Sequence, residues 1–308
     1  MFKENVLLKR HSNYKIGGPA KYFFEARSVE KIIKAVEYAR KIKTRIFILG
    51  GGTNILFSDE EYNGLILKPN IQFIKKDGNF LRAGAGVLIT QLLNNSITNN
   101  LSGLEWAAGI PGTIGGAIRG NAGAFGGEIK NVIKEVISLD ISGSRPKVIR
   151  RNNRDCEFGY RLSIFKKRPE IIIEATFVLK KGKKKLIETI IKKNINYRKE
   201  RQPLEYPSLG STFKNVDIRK IAKKQYKSFE SIIKNDPFPI IPAAYLISES
   251  GLKGISRGGA MISEKHPNFI VNISNATAND VKNLIKLAKK EVFKKFKIKL
   301  EEEVVILE

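Results

Sequence analysis

The sequence predicts an α+β protein, and three observations carry that expectation. Amphipathic helices and short apolar strands are mixed without the regular beat of a doubly wound parallel sheet. Two dense glycine clusters punctuate the pattern, and neither has Rossmann or Walker spacing. The 308 residues suffice for two or three domains, each able to bury a core.

Taken in order, Tyr22–Glu25 is predicted as a strand. Ser28 then N-caps a helix whose apolar face is Val29, Ile32, Ile33, Val36 and Ala39. Strands are predicted at Arg45–Leu49 and Leu65–Leu67, and a weaker helix between Leu88 and Leu101. Further strands are expected at Val132–Leu139, Ile171–Leu179, Ser211–Lys214, Phe269–Ile273 and Glu303–Leu307. Thr277 and Asp280 have the spacing of a capping box. The stripe Val281, Leu284, Ile285, Ala288, Val292 and Phe296 follows, with lysines opposite. Turn-forming residues near Pro69 and at Gln202-Pro203 suggest domain boundaries.

The chain carries 56 Lys+Arg against 30 Asp+Glu, a net charge of +26. That surplus invites a polyanion. The lysines are scattered, however, in short runs such as Lys183-Lys184-Lys185, with no RNA-recognition signature or basic tail. A solvated surface is the leading explanation, a small anionic substrate the second, and nucleic acid the third. The longest apolar runs, Ile46–Leu49 and Ile171–Ile173, are too short to span a bilayer, so no membrane insertion is expected. Met1-Phe2-Lys3-Glu4-Asn5 lacks a secretory apolar segment, which points to the cytoplasm. A single cysteine, Cys156, excludes an internal disulfide and is expected to be a packing residue. His11 and His266 alone leave little room for a histidine-built metal site.

The glycines say most. Eight of 26 fall within nineteen residues, from Gly109 to Gly127. Glycine loses the most backbone freedom on folding, so such density needs compensation from turns or from close approach to a ligand. Gly109-Ile110-Pro111-Gly112-Thr113-Ile114-Gly115-Gly116-Ala117 is placed to enter a helix, whose exposed amides would face an anion. The second cluster, Leu49-Gly50-Gly51-Gly52-Thr53-Asn54, follows a strand as phosphate cradles do. Either cluster alone is compatible with a structural turn. Together they suggest a dinucleotide fold of another kind.

These residues resemble the UDP-N-acetylenolpyruvoylglucosamine reductase family almost end to end. The resemblance runs through Asn13-Tyr14-Lys15-Ile16-Gly17-Gly18-Pro19-Ala20, both glycine clusters, and Gly120-Asn121-Ala122-Gly123-Ala124-Phe125-Gly126. It continues through Cys156-Glu157-Phe158-Gly159-Tyr160-Arg161-Leu162-Ser163, Gly210-Ser211-Thr212-Phe213-Lys214-Asn215, His266-Pro267-Asn268-Phe269 and Glu303-Val304. The short stretch from Leu179 to Gly210 resembles the shorter, type II form.

The resemblance implies FAD held non-covalently in the two-subdomain fold of the vanillyl-alcohol-oxidase type, plus an α+β substrate domain. Residues 1–69 with a returning strand, 297–308, would form the first cofactor subdomain. Residues 70–201 would form the second, and 202–296 the substrate domain. It further implies NADPH as hydride donor, a UDP-sugar substrate, and a monomer that binds no nucleic acid.

By the same resemblance, FAD would be bound by Gly50, Gly51, Gly52, Thr53, Asn54, Ile110, Pro111, Gly112, Thr113, Gly115, Gly116, Asn121 and Ala122. Arg161 would hold the substrate carboxylate, Glu303 would stabilise the enolate with it, and Ser211 would donate a proton. A serine is a poor acid in water, so Ser211 needs orientation and a relay. Tyr160, Lys214, Asn215 and Arg201 would line the substrate, with Arg198 a looser candidate. His266 would orient the substrate-domain loop.

Two departures stand out. Val305 replaces an arginine common in the family, and Asp217 to Pro242 form an insertion, rich in lysine, that would be a lid or a surface excursion.

Overall fold

The computed structural model describes residues 2–236 and 238–308, with the backbone alone for residues 223–225. The side chains of Lys223 and Lys224 in the insertion therefore lie outside the described residues. The chain divides into two units. The first comprises Met1–Val6, Ala20–Gly52 and Asn63–Tyr197. The second comprises Leu7–Pro19, Thr53–Tyr62 and Arg198–Glu308.

The first unit is built on two sheets. One has the strand order Lys3–Leu7, Pro19–Ala26, Tyr62–Pro69, Ile46–Ile48, the last two running parallel. Helix α1 (Val29–Lys41) packs Ile32, Ala35, Val36 and Ala39 into this layer. The Ser28 hydroxyl accepts from Lys31 N at 3.3 Å, as the sequence predicts. The other sheet is antiparallel, in the order Lys147–Asn152, Ile133–Asp140, Glu170–Val178, Phe80–Gly84, Ile74–Asp77. Helices α2 (Ile89–Thr98) and α3 (Ile114–Gly120) cover it around Leu81, Val136, Ile118 and Phe177.

Helix α4 (Lys184–Arg201) was not foreseen. Its core-facing stripe is narrow: Ile187 and Asn194 are buried, and Ile191 and Ile195 are partly buried against the first unit's core.

The second unit holds a four-stranded antiparallel sheet, Ser208–Ser211, Phe269–Asn272, Ala260–Ile262, Ser256–Arg257. Helices α5 (Ala243–Glu249) and α6 (Ala278–Phe296) pack on it through Leu246, Val281, Leu284, Ile285 and Val292. The capping box is present: Thr277 N donates to Asp280 Oδ2 at 2.9 Å, and Asp280 N to Thr277 Oγ1 at 3.1 Å.

The insertion forms a small sheet of Val216–Asp217, Pro239–Ile241 and Lys234–Asn235. It also plants Phe229 against Phe296, ring centroids 5.9 Å apart. It is thus part of this unit's core. The terminal strand, Val305–Leu307, pairs in parallel with Ile55–Phe57.

Candidate active site

In the first unit, the strand Ile46–Ile48 delivers the chain into Gly50-Gly51-Gly52, which packs directly on the second glycine run. A Cβ on Gly51 would stand 2.8 Å from the Gly112 Cα, and one on Gly50 3.0 Å from Thr113 Oγ1. Gly112 also has φ +111°, a conformation that residues with a side chain rarely adopt.

The amides of Gly50, Gly51 and Gly52 donate to no acceptor among the described residues. Those at the start of α3 are spent: Ile114 N bonds Val87 O and Gly115 N bonds Ala85 O, both at 2.9 Å. Gly112 N and Thr113 N, just before α3, donate to no acceptor among the described residues either, so donors for an anion remain on both glycine runs. Beside the two runs lies a cavity of about 260 Å³. Its walls include Ile46, Ile48, Phe165 and Ile171, with Gly50, Thr113 and Gly116 at its edge. Apolar walls next to unspent amides fit one end of a group with a flat ring and a phosphate, which FAD supplies.

Of the other residues expected at the cofactor, Ile110 N bonds Ala107 O at 3.0 Å and Pro111 is exposed. The Asn121 side chain is consumed within the protein. It donates to Glu128 Oε2 at 2.5 Å and Gly159 O at 2.9 Å, and accepts from Lys130 N at 3.0 Å. Ala122 N bonds Ala117 O at 2.8 Å. Through its bond to Gly159 O, Asn121 braces the turn that bears Tyr160 and Arg161.

That turn is a two-residue connection. Gly159 and Leu162 exchange backbone hydrogen bonds at 2.9 and 3.1 Å, which leaves Tyr160 and Arg161 at the apex. Arg161 has φ +55°, a left-handed conformation that costs a non-glycine residue free energy. Its guanidinium donates to Gly123 O at 3.1 Å and lies 5.1 Å from the Tyr160 ring centre. Lys166 Nζ donates to the Arg161 carbonyl at 2.7 Å.

In the second unit the structure brings Ser211 and Glu303 onto one hydrogen-bonded ladder. Ser211 ends the strand Ser208–Ser211. Beyond it, Thr212 N donates to Asn268 O at 2.7 Å, and the Asn268 amide clamps Phe213 on both sides. Phe213 N donates to Oδ1 at 2.9 Å and Nδ2 donates to Phe213 O at 2.8 Å. Glu303 N in turn donates to Thr212 O at 2.8 Å. Asn54, expected at the cofactor, holds this strand: its Nδ2 donates to Glu303 O at 3.0 Å and its carbonyl accepts from Val305 N at 3.0 Å.

Glu301 pairs with Lys220 at 3.2 Å and Lys214 at 3.4 Å, and the Lys220 hydrogen bond leads the effects that hold its carboxyl below the usual range. Glu302 pairs with Lys289 at 2.8 Å. Asn215 Oδ1 accepts from Ala243 N at 3.1 Å, at the first turn of α5. Arg201 is exposed at the end of α4; Arg198, a turn earlier, donates to Gln202 Oε1 at 3.4 Å.

Cys156 is fully buried, and burial pushes its thiol up to about 12, so it is inert packing. Burial pushes His266 down to about 4, and its ring meets Phe269 edge-on at 4.7 Å. No cluster of three potential metal ligands occurs among the described residues. Asn268 was missed as a functional residue because its partner lies 55 positions away, although its place in His266-Pro267-Asn268-Phe269 marked the segment.

The glycine-framed unit is the binding domain of a flavoprotein: the FAD binding domain family matches residues 20–145. The C-terminal domain of UDP-N-acetylenolpyruvoylglucosamine reductase matches residues 202–307. UDP-N-acetylenolpyruvoylglucosamine reductase of Clostridium tetani is 38% identical over 306 residues, covering 99% of this chain and 92% of that protein. Its counterpart from Caldanaerobacter subterraneus is also 38% identical, covering 98% and 92%. The crystal structure of the Thermus caldophilus enzyme superposes with a TM-score of 0.79 at 29% identity, over the whole of both chains.

The chain belongs to the UDP-N-acetylenolpyruvoylglucosamine reductase family, FAD-dependent oxidoreductases, as its residues suggested. No helix among the described residues is long and apolar enough to cross a membrane.

Proposed function

We propose that the chain uses NADPH to reduce the enolpyruvyl ether of UDP-N-acetylglucosamine to UDP-N-acetylmuramate, for peptidoglycan synthesis. The observation that carries this is the Ser211–Glu303 ladder in a chain of this family. Bound FAD supplies the hydride relay between nicotinamide and substrate. Gly50, Gly51 and Gly52 would hold its diphosphate through their amides, with Thr53, Gly112, Thr113, Gly115 and Gly116 as the further residues of the cradle.

Hydride addition to the β-carbon drives negative charge into the substrate carboxylate. Arg161 clamps that carboxylate through its planar fork, the interaction that grows in the transition state. Glu303 acts with Arg161 to stabilise the developing enolate. Ser211 Oγ delivers the proton to the adjacent carbon, oriented by the strand that Asn268 pins. Tyr160, Lys214, Asn215 and Arg201 bind the rest of the UDP-sugar. Residues 1–69 with 297–308, 70–201 and 202–296 act as the two cofactor subdomains and the substrate domain of a cytoplasmic monomer.

Anaerobic stopped-flow absorbance tests this reading. NADPH should bleach the flavin, and the enolpyruvyl nucleotide should restore its colour. Ser211→Ala should leave bleaching nearly intact and cripple only the recolouring. Equal loss in both halves would refute the proton-donor assignment, and recolouring indifferent to the nucleotide would refute the substrate.

A further inference from the structure

The cavity beside the glycine runs is lined by three cationic side chains, Arg119, Lys166 and Arg168, and one carboxylate, Glu170. Glu170 is already matched. Arg151 grips it at 2.5 and 3.0 Å, and Ser138 Oγ donates at 2.7 Å. Lys166 is engaged with the Arg161 carbonyl, and the charge of Arg168 is felt by the Asp140 and Glu157 carboxylates.

Arg119 differs. Among the described residues its guanidinium has no hydrogen-bond or ion-pair partner. It is open to water along the cavity, yet surrounding protein desolvates it enough to pull its pKa below the usual arginine value. A guanidinium partly stripped of water without an anion is a cost to the fold, recovered when an anion arrives.

Its position says where that anion belongs. Residues 115, 116 and 119 lie on one face of α3, three and four positions apart, and all three line the cavity. The first two are glycines, and a Cβ on Gly116 would meet only Thr113 Oγ1, at 3.6 Å. Gly115 packs on Ala85, so the bare backbone in front of the arginine is at Gly116, with Gly50 next to it (a Cβ there would stand 3.6 Å from the Gly116 Cα) and the unspent amides of Gly50, Gly51 and Gly52 running on from that contact.

We propose that Arg119 is the counter-ion of the FAD diphosphate and sets this site's preference for a phosphorylated flavin over an uncharged one. The proposal rests on the FAD reading above. The neutral amides fix the phosphate geometry, while the guanidinium adds charge in a bidentate fork. Glycine density made the cradle legible in the sequence; Arg119 beside it looked like one more surface arginine.

Flavin fluorescence titrations of the full-length apoprotein test this with FAD and riboflavin at low and high salt. Arg119→Gln should weaken FAD about 10- to 100-fold, the range of a lost charge-assisted hydrogen bond, and flatten the salt dependence. Riboflavin affinity should change less than about threefold, since the variant leaves the apolar walls intact. Arg119→Met, which keeps the packing stem, should behave alike.

An FAD affinity within threefold of the unaltered protein, or a parallel fall for riboflavin, would overturn the proposal by showing no role or a packing role. If the unaltered protein binds no FAD at all, the cofactor reading fails instead.

Discussion

Asn268 offers the sharpest test of how this site is built. It is 2% exposed and makes both of its side-chain hydrogen bonds to the backbone of Phe213, which is 1% exposed. Asn268→Ala would strand a buried N–H and a buried C=O together. Each unsatisfied group costs about 1–3 kcal/mol, so the variant should lose about 2–6 kcal/mol of stability. A domain of this kind has about 5–15 kcal/mol in total, so the variant folds but is easily detected. Asn268→Asp keeps the acceptor for Phe213 N and sets a carboxylate against Phe213 O, so it should not rescue.

The same clamp positions Ser211, two residues before Phe213, and the Thr212 carbonyl that receives Glu303 N. Urea unfolding followed by circular dichroism reads the stability. Stopped-flow absorbance of the holoenzyme reads the chemistry. The half-reaction with NADPH should stay within about twofold, whereas the half-reaction with the enolpyruvyl nucleotide should fall by about tenfold or more, because small misplacement is expensive in proton transfer. A destabilisation under about 1 kcal/mol with both half-reactions unchanged would refute the argument.

Two further outcomes follow from the same geometry. Gly51→Ala places a methyl 2.8 Å from the Gly112 backbone, which cannot yield as a side-chain tip would, so FAD affinity should drop by at least about tenfold in fluorescence titration. Burial, aided by the charge of Lys234, holds His266 near 4 in the folded protein against about 6.5 unfolded. The unfolded chain then binds the extra proton first as pH falls, so stability should decline from about pH 6.5 to about pH 4 and be highest above that window. The loss from this group is at most about 3 kcal/mol, and urea unfolding of His266→Gln across that range should show a flatter limb.

Local chemistry was legible in the sequence; distant pairing was not. Ser28, Thr277 and Asp280 act within one turn of their own helices, so their roles can be read from spacing alone. Helix α4 packs Ile187, Ile191 and Ile195 on the core, but Leu186, Ile190 and Tyr197 stay exposed beside them, so the apolar residues do not fall on one clean face. Asn54 sits in a glycine cluster, which suggested the cofactor, yet its amide reaches residue 303, a partner no local pattern encodes.

Glu301-Glu302-Glu303 shows the same limit most plainly, since three adjacent carboxylates read as one solvated run. Once the segment pairs along Thr212–Lys214, neighbouring side chains point to opposite sides. Glu302 then turns to Lys289 of α6, whereas Glu301 is taken by Lys214 and by Lys220 of the insertion. Those cations satisfy the flanking charges, while the backbone of Glu303 is fixed by Thr212 and Asn54. The ladder, rather than composition, sets the three glutamates apart, and the insertion contributes through the pairing of Lys220 with Glu301.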